Sequence, residues 1–199
     1  MALRDPFITV DDAKNYASIL DGEDDAELAR VIAAVTGQLI DYCGRDFNDS
    51  GAASARLYDT CDSRFVWVDD FSTLAGLVVA TGTDGVTFPT AITAYNAYPL
   101  NAVANGVPFN RIQLWPNAYF APGGNGPAVQ VTARWGWAAV PAEVKQATLI
   151  QVANVFSRKF STNGIAGQGD FLFRVSKLPL DPTAEALVSA RRLVAAVIA

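Results

Sequence analysis

Residues 71–140 hold only three charged side chains, Asp84, Arg111 and Arg134, and the residues on either side hold the helical periodicity of the chain. A stretch that poor in charge has to bury surface, and its β-branched and aromatic content up to Trp137 marks it as β-rich. Two origins of the missing charge stay open: a compact β core with a Ser, Thr and Asn surface, or a surface covered by the rest of the chain or by a partner. With 199 residues, 51% of them apolar, one sizeable core is within reach.

The first flank predicts two helices. Thr9 with Asp12 three positions later has the form of a capping box, so a short helix is expected from Val10 to Ser18, its entry stapled by Phe7 and Ile8. After a turn at Asp21-Gly22, a longer helix is expected from Asp24 or Asp25 to Tyr42. Leu28, Ile32, Val35, Leu39 and Tyr42 recur there at alternating spacings of four and three, which makes one apolar face. Glu23, Asp24, Asp25 and Glu27 complement the positive end of that helix, and Gly44 supplies a stop.

The second flank opens at Val140-Pro141 with VPAEVKQATLIQVANVFSRKF. Its apolar residues (Val144, Ala147, Leu149, Ile150, Val152, Ala153, Val155, Phe156) surround most of the circumference, so this helix is expected to be central and packed on several sides. STNGIAGQGD then reads as a Gly-rich loop, FLFRV as a short extended segment, and Asp181-Pro182 as the cap and first turn of a last helix reaching Ile198. Leu187, Val194 and Ile198 share one stripe of it, with Arg191 and Arg192 alongside.

Between the flanks, NDSGAASA (48–55) reads as a loop. Strands are expected over 56–58, 64–68, 74–80, 90–95, 111–115 and 128–135, and AYFAPGGNGPA (118–128) as a loop, its prolines and glycines excluding regular structure. The expected fold is α+β: a helical bundle of two N-terminal helices, a central buried helix and a C-terminal helix, with a large β-rich insertion. Residues 1–55 would start the helical core, 56–137 form the insertion and 138–199 complete the core, within a single domain.

Chemistry is limited by composition. The absence of histidine removes Ser-His-Asp and Cys-His nucleophile systems, imidazole acid-base catalysis and His-containing metal sites, so the chain is expected not to be an enzyme and to need no cofactor or metal. A small hydrolase working through Asp59, Asp62, Asp69 and Asp70, or through Ser157 or Ser176 with a lysine, would require those groups to converge in a pocket. The acidic run from Asp21 to Glu27 does not fit a calcium loop: counting from Asp21, the glycine position is Ala26 and the bidentate glutamate position is Ile32. Gly164, Gly167 and Gly169 have the order G-x-x-G-x-G after a helix, which matches neither a dinucleotide nor a P-loop signature. That segment, with Ile165 and Phe171, is expected to be a flexible connector able to order on contact with a partner.

Cys43 and Cys61 have no C-x-x-C spacing and are expected to be free thiols in a reducing compartment, a disulfide being the alternative. The N-terminal residues have no apolar segment of the signal-peptide kind, and no apolar run approaches the roughly 20 residues of a bilayer span, so a cytoplasmic site of synthesis and no membrane are expected. Residues 1–70 carry 6 basic and 15 acidic side chains, whereas residues 141–199 carry 7 and 4. With an overall pI near 4.6, autonomous duplex binding is disfavoured, and the basic C-terminal block is better matched to an acidic protein surface, a neighbouring copy being one candidate. Phe88, Tyr95, Tyr98, Trp115, Tyr119, Trp135 and Trp137, set among Asn-rich loops, leave a carbohydrate-binding module as the alternative function, since aromatic faces stack on sugars.

The order of these features resembles one family. FITVDDAKNYASILDGEDDAELARVIAAVTGQLIDYCGRDF is similar to the paired N-terminal helices of the head-tail connector, or head-to-tail adaptor, proteins of actinobacterial siphophages. VPAEVKQATLIQVANVFSRKF resembles their central helix, and NGIAGQGDFLFRVSKLPLDPTAEALVSARR their Gly-rich loop, short strand and last helix. The likeness covers a little over half of the chain, and the β-rich block departs from the shorter connectors. It implies a structural virion protein: a ring, usually of twelve copies, between the portal protein and the next tail-proximal connector or head-tail stopper, located at the capsid-tail junction. Genomic DNA would pass through its channel without being read. It further implies that the C-terminal helix, with Leu187, Arg191, Arg192, Val194 and Ile198, engages the portal; the alternative is that Leu187, Val194 and Ile198 pack on the subunit's own central helix.

Overall fold

The computed structural model describes residues 2–60, 64–116, 118–120, 128–158, 165–166, 173–174 and 180–193. Along the chain run α1 (Val10–Ala17), α2 (Asp25–Cys43), β1 (Asp49–Tyr58), β2 (Phe65–Phe71), β3 (Val78–Thr81), β4 (Thr90–Ile92), β5 (Tyr95–Tyr98), β6 (Phe109–Leu114), β7 (Val129–Gly136), α3 (Ala142–Ser157), β8 (Ile165–Ala166), β9 (Phe173–Arg174) and α4 (Pro182–Val188). A 3-10 turn, Ser189–Arg191, follows α4. The fold is α+β, and it divides into two compact units: a sheet unit of residues 1–3 and 48–139, and a helical unit of residues 4–47 and 140–199.

In the helical unit the capping box is present as expected. Thr9 Oγ1 accepts from the Asp12 N–H at 3.1 Å and Asp12 Oδ2 accepts from the Thr9 N–H at 2.9 Å. Phe7 and Ile8 are buried, Phe7 meeting Phe47 edge-on at 5.8 Å. The second helix buries Leu28, Ile32, Val35, Leu39, Ile40 and Cys43 and stops at Gly44, whose φ of 67° gives the left-handed cap. The third helix packs against α1, α2 and α4, as its composition required. It buries Val144, Ala147, Thr148, Gln151, Val152 and Phe156, while Leu149, Ile150 and Val155 are only half-buried within the chain.

Gln151 ties three helices together. It is buried, its Nε2 donates to Gln38 Oε1 at 3.3 Å, and its Oε1 accepts from the Asp181 N–H at 2.9 Å. Asp181 in turn caps α4 by accepting from the Thr183 and Ala184 N–H groups. The last helix ends at Val188 and is followed by the 3-10 turn and an extended Arg192; residues 194–198 of the expected helix lie outside the described residues. The Leu193 N–H then donates to the Cys43 carbonyl at 2.8 Å, which holds this segment on the end of α2 and satisfies a C-terminal carbonyl that α2 leaves without an intrahelical donor.

In the sheet unit β7 is the axis. Its Val129, Val131, Ala133 and Trp135 are buried and alternate with half-buried or exposed residues, the period-two pattern of a strand with one face in the core. All pairings among the described strands are antiparallel, in the order β4-β3-β7-β2-β6-β5, with β1 on β7 as well. β1 and β3 pair with the same residues of β7, from Val129 to Thr132, and therefore lie on its two opposite edges. The core comprises Val66, Val68, Phe71, Val79, Phe109, Ile112, Leu114, Phe120 and the β7 residues, with Phe71 and Phe109 stacked at 5.3 Å.

Three strand expectations need correction. Residues 49–55 are the first part of β1, not a loop. Their pairing steps from Asp49↔Gly136 to Ala53↔Arg134, a bulge holding Gly51 at φ 74°, and the strand is exposed on both faces there, so no apolar alternation betrays it. What fixes it is the partner: a Cβ on Gly136 would lie 1.7 Å from the Asn48 carbonyl oxygen, and Ser50 Oγ accepts from the Trp135 N–H at 2.9 Å. Residues 90–95 are two strands: β4 pairs with β3, and β5 with β6. Residues 74–77 precede β3 instead of opening it, Leu77 being turned back onto the Leu74 carbonyl.

Candidate functional site

Among the described residues, the groups proposed for hydrolysis do not converge. Asp69 accepts from Arg56 at 2.6 Å and from the Tyr58 hydroxyl at 2.9 Å, while Asp70, on the opposite face of β2, is buried and accepts from Trp137 Nε1 at 2.9 Å. Asp59 Oδ1 accepts from the Thr60 N–H next to it, and the Ser157 hydroxyl is turned onto the Asn154 carbonyl. Asp62 and Ser176 lie outside the described residues. Among the described residues no group of three or more acidic or cysteine side chains could hold a metal, and no helix is long and apolar enough to cross a membrane. Cys43 is a buried free thiol, and burial pushes it up to about 11; Cys61 lies outside the described residues.

The aromatic residues separate by burial. Trp135 and Trp137 are core, Trp135 donating from Nε1 to the Ser54 carbonyl at 2.8 Å with Arg56 4.6 Å over its ring. Tyr95 packs against the sheet core and Phe88 is half-buried. From the set singled out in the sequence, Trp115 and Tyr119 are exposed, and Tyr98, like Tyr95 and Phe88, is half-buried. Two rings that sequence reasoning missed complete the exposed face: Phe65 and Trp67. Their signal was the alternation F-V-W-V, which places both on the face opposite buried Val66 and Val68.

Strand register gathers Phe65, Trp67 and Tyr98 around one cation. Arg111 of β6 is paired directly with Trp67 of β2 on one side and with Tyr98 of β5 on the other. Its guanidinium carbon lies 4.5 Å from the Tyr98 ring centre, 5.3 Å from Trp67 and 5.5 Å from Phe65. The turn after β5, closed by Ala102 N–H to Pro99 and Val107 N–H to Ala102, raises Leu100, Asn101 and Asn105 beside this row. The result is an open groove of about 450 Å³, with Trp67 51% and Leu100 64% exposed. Every other arginine of the sheet unit either pairs with an acid or has a further interaction, whereas the Arg111 side chain has no hydrogen bond or ion pair among the described residues; its Nε, like that of Arg64, is buried without a hydrogen-bond partner.

The expected C-terminal set is partly described. Leu187 is half-buried, and Arg191, also half-buried, is bound to Glu143 of α3 at 2.6–2.7 Å, which ties the end of α4 to α3. Arg192 is exposed, 5.1 Å over the Tyr42 ring, whose hydroxyl donates to Glu185. Val194 and Ile198 lie outside the described residues, as do Gly164, Gly167, Gly169 and Phe171; Ile165 pairs with Arg174 in the short β8–β9 ladder.

Comparison with solved structures supplies a fold relationship. The fold is shared with chains of gene transfer agent particles. One, from the neck of an empty particle computed with C6 symmetry, superposes with a TM-score of 0.58 at 17% identity, over 97% of this chain and 93% of that one. Another, from the virion of the native particle, gives 0.56 at 15% identity over the same shares. No family model and no curated protein matches the sequence.

Proposed function

We propose that this chain is a structural neck protein of a phage-like particle: a head-to-tail adaptor, assembled as a ring of twelve copies between the portal and the next tail-proximal connector ring, with DNA passing through the channel. The observation that carries this reading is the fold match to a neck chain, which spans 97% of this chain and therefore includes the β-rich block as well as the helices that resemble connectors. Sequence agrees in kind. Separate acidic and basic blocks in the sequence suit electrostatic contacts to unlike partners, and an acidic channel lining would keep DNA from adhering during passage. The particle's head-tail junction is then the place of action, and the role is structural instead of catalytic.

The C-terminal segment containing Leu187, Arg191, Arg192, Val194 and Ile198 is proposed to face the portal, and the Gly164 to Phe171 segment to order against a neighbour. Truncation after Asp181 would remove Ala184 and Val188, both fully buried, and is expected to cost the fold. Truncation after Leu193 spares them and tests Val194 and Ile198: a folded protein that no longer docks on portals supports the assignment for these two, and unimpaired docking overturns it for them, while Arg192→Glu, at an exposed residue, tests the part that remains.

The test of the adaptor reading is electron microscopy of particles made without this gene. Filled capsids accumulating apart from finished tails are expected. Normal infectious particles would overturn the reading and return attention to the aromatic groove as a carbohydrate site.

A further inference from the structure

Arg111 and the groove around it are unexplained by the fold. The guanidinium is held by three rings, which orient it without neutralising it, and no carboxylate of the described chain answers it. Such a site takes a ligand with an apolar part for Trp67 and Leu100 and a carboxylate for Arg111. The helical unit displays that combination at the α1–α2 turn. Leu20 is 98% exposed, Asp21 and Glu23 are exposed beside it, and the Glu23 carboxylate has no partner among the described residues. Asp21 Oδ1 accepts from the Glu23 N–H at 3.3 Å, which keeps the turn tight and both acids on its outside.

We propose that the Trp67–Arg111–Tyr98 groove receives the Leu20–Glu23 turn of a second copy of this chain, with Leu20 seated against Trp67 and Leu100 and a carboxylate of Asp21 or Glu23 on the Arg111 guanidinium. The contact joins two different surfaces, one from each compact unit, which is the heterologous kind that builds rings instead of twofold dimers. It also gives the exposed leucine and a guanidinium that no carboxylate of the described residues answers a common purpose. The proposal rests on the ring reading above and specifies which faces meet.

Disulfide trapping tests it. In a Cys61→Ser background, Leu20→Cys and Leu100→Cys are made in separate chains; Cys43 stays, being buried and unreactive. Mixing the two variants under oxidation is expected to give a crosslinked dimer that neither gives alone, and the double variant a ladder of higher oligomers. Arg111→Glu in the groove copy should lower the yield about tenfold or more, and Asp21→Lys with Glu23→Lys in the turn copy should restore it. Oligomers that assemble without the crosslink overturn the proposal and leave the ring reading standing. A crosslink indifferent to Arg111→Glu overturns the groove, as does a neutral glycan that binds there and survives Arg111→Glu. Protein that stays monomeric and uncrosslinked at the highest concentration reached overturns it too, and the adaptor reading is then judged separately on particles made without the gene.

Discussion

The two compact units are stabilised by different means. In the helical unit, polar side chains close short circuits: Thr9 with Asp12, Lys14 with Asp25 at 2.9 Å, Glu143 with Arg191, and Gln151 bridging Gln38 and the cap of α4. In the sheet unit the decisive contacts are matters of register and close approach, with Gly136 against Asn48, Trp135 under Arg56, and Arg111 framed by its cross-strand neighbours. A helix makes its hydrogen bonds within itself and needs caps and a stripe, whereas a strand depends on what lies beside it. The contrast teaches where variation is tolerated: changes in the helical unit lose one interaction, and changes along β7 shift a register.

The largest expected effect tests that difference directly. Gly136→Val forces β1 away from β7 and should destabilise the sheet unit by about 3 kcal/mol or more, because a Cβ 1.7 Å from a carbonyl oxygen cannot be relieved by a rotamer change. Near-ultraviolet circular dichroism, which reports Trp135 and Trp137, should lose its signal with the melt. A smaller effect is expected on the helical side from Gln151→Ala, which strands the Asp181 N–H and removes the bond to Gln38, and should cost roughly 1–3 kcal/mol in a denaturant titration. If Gln151→Ala proved the costlier of the two, the contrast between the units would be reversed.

Smaller still is the cap. Thr9→Ala removes the acceptor for the Asp12 N–H and should cost about 1 kcal/mol, and Thr9→Ser should restore most of it. The smallest effect is a pH dependence at the β3–β4 loop, where the Thr87 hydroxyl and the Thr87 and Val86 N–H groups hold the Asp84 carboxyl down at about 2 against an ordinary value of 3.8. Its folded value is depressed, so its contribution is fully present above pH 3.8 and is lost as pH falls from 3.8 towards 2. Asp84→Asn should therefore flatten part of the acid limb of the melting temperature between those values and leave neutral pH nearly unchanged. An identical acid limb in the variant would remove Asp84 from the account.

What the residues alone determined was mostly helical. The capping box at Thr9, the stop at Gly44, the apolar stripe of α2 and the Asp181-Pro182 start of α4 are encoded within a few neighbouring positions, and periodicity of 3.6 displays the buried face directly. The full β1 strand, the division of 90–98 between two strand neighbours and the end of α4 at Val188 depended on partners distant in the chain. The groove shows the same limit. That Phe65 and Trp67 share a face was legible in their spacing, but that Arg111 stands between Trp67 and Tyr98 follows from pairing residues 44 and 13 positions away, and strand register at that range is set by the assembled sheet instead of by local sequence.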